Sequence, residues 1–148
     1  MSGFAAIGLA NPKNAVNVGA TLRAASAFGA AFVAYTGSRY KRSPTDVTNA
    51  YSSIPLIHAG ADQSALHDLI PFDCVPVAVE LVAGAVALPL YVHPARAFYV
   101  FGAEDATLGA AVLSWCRDAV QIPSAICLNL AAAVNVVLYD RAAKRWGK

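Results

Sequence analysis

Short apolar runs closed by glycine or proline alternate along this chain with stretches of helical spacing, and no other feature restricts the fold as strongly. Residues 4–10 run apolar into Asn11-Pro12, 31–36 into Gly37, 98–102 stop at Gly102, and 119–122 are closed by Pro123; 74–80 form another apolar run. Such runs, bounded by turn residues, read as buried strands. Between them, 17–28 sets Val18, Leu22, Ala25 and Phe28 on one helical face with Gly29 as the stop, and 107–116 and 128–146 also read as helices. Weaker signals give a strand at 54–58 and a helix at 62–69 with Asp62 near its start; 37–44 is a polar, basic loop and 84–94 is irregular. Strands alternating with helices predict an α/β fold: a mostly parallel sheet with helices on both faces. No repeat, low-complexity tract or linker interrupts 1–148, so the expectation is one domain.

The last helix carries two apolar stripes, Leu130, Val134, Val137 and Leu138 on one side and Ala132, Val136, Tyr139, Ala143 and Trp146 on the other. A helix apolar on two sides is buried on two sides. One side can face the sheet and the other a second subunit. The composition agrees, because 57% hydrophobic and only 14% charged residues leave apolar surface for a partner to cover.

Net charge is +2, too small to indicate nucleic-acid binding by itself. The cations are grouped, however, with Arg39, Lys41 and Arg42 in the polar loop and Arg141, Lys144, Arg145 and Lys148 at the end of the last helix. The first group reads equally as a solvated loop or an RNA contact, and the second equally as cations complementing a helix dipole or a nucleic-acid contact. Cys74, Cys116 and Cys127 are odd in number and irregular in spacing, which fits free thiols in a reducing cytoplasm rather than disulfides or zinc. No signal peptide is indicated, and the most apolar stretches are broken by Glu80 and Pro89 or are too short to span a bilayer. The histidines and acidic residues show no metal-ligand spacing, so no metal is expected. The absence of GxGxxG, P-loop and GxSxG patterns counts against dinucleotide oxidoreductases, NTPases and α/β-hydrolases.

Three segments carry candidate chemistry. In the first, 11–23, Asn17 is placed to cap the following helix, Gly19 and Ala20 leave room for a ligand backbone, and Arg23 leans back over them. An arginine aimed at an anion-friendly helix start makes a phosphate clamp; the alternative is an exposed helix residue. In the second, 98–105, a strand ends at Gly102 before Glu104 and Asp105. Ligands gather at the carboxyl ends of parallel strands. These carboxylates then bind a hydroxyl, hold a loop, or simply cap the next helix. In the third, 122–129, Ile122-Pro123 leads through a tight loop to Leu128 and Asn129, whose amides can meet a ligand edge or start a helix that Asn129 caps.

In this order the segments resemble the SpoU/TrmH branch of the SPOUT RNA methyltransferases. The resemblance rests on Asn17, Gly19 and Arg23 followed by Ala24 and Gly29, on Phe101-Gly102-Ala103-Glu104, and on Ile122-Pro123 with Leu128-Asn129 and Leu138-Tyr139-Asp140-Arg141. It implies a C-terminal trefoil knot and an obligate homodimer packed through the first and last helices. It further implies transfer of a methyl group from S-adenosylmethionine to an RNA ribose 2′-hydroxyl, tRNA first and rRNA second, in the cytoplasm. On that resemblance Val79, Glu80, Gly102, Ile122, Cys127, Leu128 and Asn129 hold the cofactor. Arg23, Asn17 and Glu104 form the catalytic set facing RNA, and Lys13, Arg39, Lys41 and Arg42 contact the RNA. Three features depart from the family pattern, all in cofactor loops: Cys127 stands where serine is common, the loop between Pro123 and Leu128 is short and lacks glycine, and Ala106-Thr107 replaces a glycine. They motivate a competing reading, a knotted dimer that binds RNA with weak or lost methyl transfer. A third is a doubly wound nucleotide-binding module unrelated to RNA.

Overall fold

The computed structural model of the chain describes residues 3–41 and 53–148. Its elements are β1 (Phe4–Leu9), α1 (Ala15–Phe28), β2 (Val33–Thr36), β3 (Leu56–Gly60), β4 (Val75–Val79), β5 (Val86–Ala87), β6 (Arg96–Phe101), α2 (Ala110–Trp115), β7 (Asp118–Gln121) and α3 (Leu130–Arg145). Short 3₁₀ helices occupy Gln63–Leu69, capped by Asp62, and Leu88–Leu90. All strands pair in parallel in one sheet of order β3-β2-β1-β6-β4-β7-β5.

β6 lies inside the sheet, and its side chains alternate between two cores. Ala97, Tyr99 and Phe101 enter the core on one face with Val18 and Leu22 of α1 and Val134, Val137 and Leu138 of α3. Phe98 and Val100 enter the other with Leu66 and Val112. The strand alternation thus buries both faces, as a parallel sheet requires. Each fully buried Val, Leu or Phe contributes roughly 1.5–3 kcal/mol. The expected first stripe of α3 is buried, whereas Val136, Tyr139 and Trp146 of the second stripe are exposed in the single chain. α1 and α3 pack on each other, with Phe28 and Tyr139 edge to face at 6.3 Å.

Several expectations change in detail. The cap of α1 is Asn14, not Asn17: Asn14 has extended backbone and its Oδ1 accepts from Val16 N–H, so the helix starts earlier. Gly29 ends the helix in the left-handed conformation at φ 73°, as its position predicts. The helix expected over 107–116 shortens to Ala110–Trp115 behind Gly109, so Glu104 and Asp105 are not its caps. Within 84–94 the structure finds the edge strand β5 and a 3₁₀ turn.

The cations of α3 do more than complement a dipole. Lys144 Nζ donates to the carbonyls of Leu88 and Tyr91, Arg145 to that of Pro94, and Arg141 to those of Phe4 and Ala95. They bind the end of α3 to the strap 88–95 and to the start of β1. No helix among the described residues is long and apolar enough to cross a membrane.

Candidate active site

Three strands adjacent in space, β6, β4 and β7, send their carboxyl-terminal loops into one cleft of about 640 Å³. That volume lies within the range of small-molecule sites, about 300–1,000 Å³. Val79 and Glu80 line it from β4, Gly102, Glu104 and Asp105 from β6, and Ile122, Cys127 and Leu128 from β7. Asn129, expected in the same set, does not line it. Its Oδ1 instead accepts from the amides of Ala131 and Ala132 and caps α3.

Glu80 closes one wall. Its carboxylate accepts from Leu81 N–H and from Leu108 N–H, both at 3.0 Å, and so folds the 102–108 loop back over the end of β4. Gly102, which lines the cleft, also fits this return. A Cβ there would stand 3.0 Å from the carbonyl oxygen of Ala106 and 3.5 Å from Glu80 Oε2.

The same loop grips its neighbours. Glu104 accepts from Lys13 N–H at 3.2 Å and from Asn14 N–H at 2.8 Å, holding the loop that starts α1. Asp105 takes both terminal nitrogens of Arg39, at 2.8 and 2.9 Å, and these hydrogen bonds hold its carboxyl below the ordinary range. Arg39, expected on the RNA, makes an exposed ion pair with Asp105 of its own chain. Asn17 lies within α1, 8% exposed, and its Oδ1 accepts from Asn129 Nδ2 at 2.9 Å. The three sequence segments are thus joined by side-chain hydrogen bonds, and Asp105 and Asn129 supply links that the expected site set placed elsewhere or omitted.

Arg23 is exposed on α1 and is not among the residues lining the cleft of its own chain. Lys13 and Lys41 are exposed, and Arg42 lies outside the described residues. Cys127 is exposed at the cleft, while burial pushes the Cys116 thiol up to about 12. Among the described residues no group of three or more histidines, cysteines and carboxylates is placed to hold a metal.

The architecture is shared with solved methyltransferases. The chain superposes on the SpoU methyltransferase AviRb from Streptomyces viridochromogenes, solved with the cofactor AdoMet, with a TM-score of 0.85 at 23% identity, covering 100% of this chain and 63% of that one. The A. aeolicus TrmH/SpoU tRNA modifying enzyme gives a TM-score of 0.81 at 18% identity over 95% of this chain and 75% of that one. A protein solved for insight into 2-OH methylation of C/U34 on tRNA gives a TM-score of 0.81 at 21% identity, with 99% of both chains covered. This chain spans about three fifths of AviRb and of the Sinorhizobium meliloti rRNA methyltransferase, at 63% and 58% of their lengths. Among curated proteins none matches the sequence. Residues 5–139, nearly the whole chain, match the SpoU rRNA Methylase family, and the chain belongs to it.

Proposed function

We propose that this protein is a homodimeric, S-adenosylmethionine-dependent methyltransferase acting on a ribose 2′-hydroxyl of RNA in the cytoplasm, with tRNA as the first candidate substrate and rRNA as the second. The observation that carries the reading is the convergence of the β4, β6 and β7 loops on one cleft, hydrogen-bonded through Glu104 and Asn129 to the helix that bears Arg23. Support also comes from AviRb, solved with AdoMet, and from the relative studied for 2-OH methylation on tRNA.

The cleft fits such a cofactor in size, and it is lined by the apolar Val79, Ile122 and Leu128 along the exposed loop 123–128. Those residues would hold it, with Glu80 and Glu104 fixing the loops rather than reacting. When bound, S-adenosylmethionine supplies an electrophilic methyl group on a sulfonium. The rest of the task is positional: an RNA hydroxyl must be held in line with that methyl in a site poor in water. Arg23 suits the clamp on a phosphate or on the forming alkoxide. Its guanidinium stays protonated, so it donates hydrogen bonds and does not act as a base.

Arg23 stands outside its own cleft, and this reading therefore needs the dimer. The exposed face of α1, with Val16 76% exposed beside Gly19 and Ala20, and the exposed stripe Val136, Tyr139 and Trp146 of α3 form the surface through which a second copy would bring Arg23 to the opposite cleft. Lys13 and Lys41 then serve as RNA contacts. In the same reading the chain from Phe98 onward threads as a trefoil knot; the strap 88–95 bound across the end of α3 supports this.

The test is nucleoside mass spectrometry of tRNA and rRNA from cells with and without the gene. Loss of one 2′-O-methylnucleoside on deletion is the expected result; unchanged modification would remove the enzymatic reading and favour the RNA-binding dimer.

A further inference from the structure

The Arg39 guanidinium occupies a junction of three loops. Nη1 and Nη2 donate to the two oxygens of Asp105, and Nη2 donates also to the carbonyl of Asn11 at 2.7 Å. Asn11 is built for this contact: it holds a left-handed φ of 54°, and its N–H donates to Thr36 Oγ1 at 3.1 Å. Gly37, at φ 84°, leaves room for it, since a Cβ there would collide with Asn11 Oδ1. Carbonyls and side chains after β1, β2 and β6 therefore meet at one cation.

Both Nη2 protons are engaged, the bidentate edge is filled by a carboxylate, and Nε is buried. The fork with which an arginine grips a phosphate is thus already occupied. Asp105 meanwhile lines the cleft, on the same loop as Gly102 and Glu104. An ion pair this exposed adds little to stability, so its consequence lies in where it holds the loop.

We propose that Arg39 is a positioning residue for the cofactor, fixing the 102–108 wall of the cleft through Asp105, and not an RNA-contacting residue. The inference rests on the reading of the cleft as the S-adenosylmethionine site. Removing either partner frees the loop and leaves the other charge uncompensated, so the two substitutions act as one.

The experiment is calorimetric titration of S-adenosylmethionine into the wild-type protein, Arg39→Gln, Asp105→Asn and the double variant, together with binding of bulk tRNA over a salt series. Cofactor affinity should fall by about tenfold in each single variant and no further in the double, as for residues acting through one contact. The salt dependence of tRNA binding should be the same in Arg39→Gln as in wild type. The inference is overturned if both single variants bind cofactor like wild type. It is also overturned if Arg39→Gln alone lowers the salt slope by about one unit, as loss of a phosphate contact does. No heat with the wild-type protein would sink the cofactor reading itself and this inference with it, an outcome distinct from the other two. Should Arg39→Gln fail to fold, Arg39→Lys, which keeps the charge without the fork, provides the cofactor comparison, and affinity like wild type in it and in Asp105→Asn overturns the inference.

Discussion

Asn129 and Asn17, 112 residues apart in sequence, join the end of the third segment to the first through a 2.9 Å hydrogen bond between their side chains. Asn129 does two things at once: its oxygen caps α3 and its amide nitrogen satisfies a buried acceptor. Asn129→Ala should therefore cost more than a lost cap, which alone is about 1 kcal/mol. Leaving Asn17 Oδ1 without its donor adds about 1–3 kcal/mol. Asn17→Ala should cost less, because the cap survives. Urea unfolding of both single variants and the double should show a coupling of roughly 0.5 kcal/mol or more. Additive losses would mean that the two amides do not share an interaction.

Arg23→Ala should abolish methyl transfer while stability and calorimetric S-adenosylmethionine binding stay near wild type, since the side chain is exposed and outside its own cleft. Mixing Arg23→Ala chains with chains whose cleft is blocked by Leu128→Arg should restore about a quarter of wild-type activity. Half the dimers then carry one intact cleft facing one intact arginine. Turnover by Arg23→Ala alone would remove this residue from the catalytic set, and failure of the mixture would place cleft and arginine in one chain.

Cys127 is exposed on the cleft wall, whereas Cys116 is half-buried and its thiol is pushed up to about 12. The thiolate is the reactive form. Iodoacetamide at mildly alkaline pH should therefore label Cys127 well before Cys116, and S-adenosylmethionine should slow the labelling of Cys127 only. Peptide mapping over time checks both. Cofactor protection of Cys116 instead would put the ligand elsewhere.

His93 is 2% exposed in its side chain and stands between Tyr99 and Asp140, at 2.6 and 2.8 Å. A carboxylate only accepts, so Nε2–H donates to Asp140 and Nδ1 accepts from Tyr99, which is the neutral ring. Burial lowers the His93 pKa below 6.5, with Asp140 opposing the shift and Lys144 and Arg141 assisting it. A depressed folded-state pKa means that the unfolded chain takes up the proton first. The stabilising contribution is present in full above 6.5 and is lost as pH falls from there through the lower folded-state value. Urea midpoints should decline through this window in wild type, and the decline should be shallower in His93→Gln. An equally steep decline in the variant would assign the effect to other groups.

Much of the fold was legible because the apolar run of β6 closed by Gly102 and the glycine stop of α1 are local properties. The parallel sheet follows from the alternation of strands with helices, and the buried stripe of α3 from apolar spacing. What escaped depends on contacts distant in sequence. Asn11, Asn14 and Asn17 stand close together around the start of α1, and spacing cannot choose Asn14 over Asn17 as the cap; in the fold Asn14 caps while Asn17 pairs with Asn129 from the other end of the chain. The start of α2 is delayed because Glu80 draws Leu108 N–H into the cleft wall. Arg39 looked like a free cation until Asp105 was placed beside it. The strap carbonyls that occupy Lys144 and Arg145 leave no trace in a pattern of side chains.

The most direct test of the account is a transfer reaction with purified protein, S-adenosylmethionine labelled in its methyl group, and unmodified tRNA or rRNA. Complete digestion to nucleosides follows, so that the labelled product is identified by mass. The account predicts the label on a ribose as a 2′-O-methylnucleoside. Label on a base, or none on any RNA from protein that binds the cofactor, would contradict it.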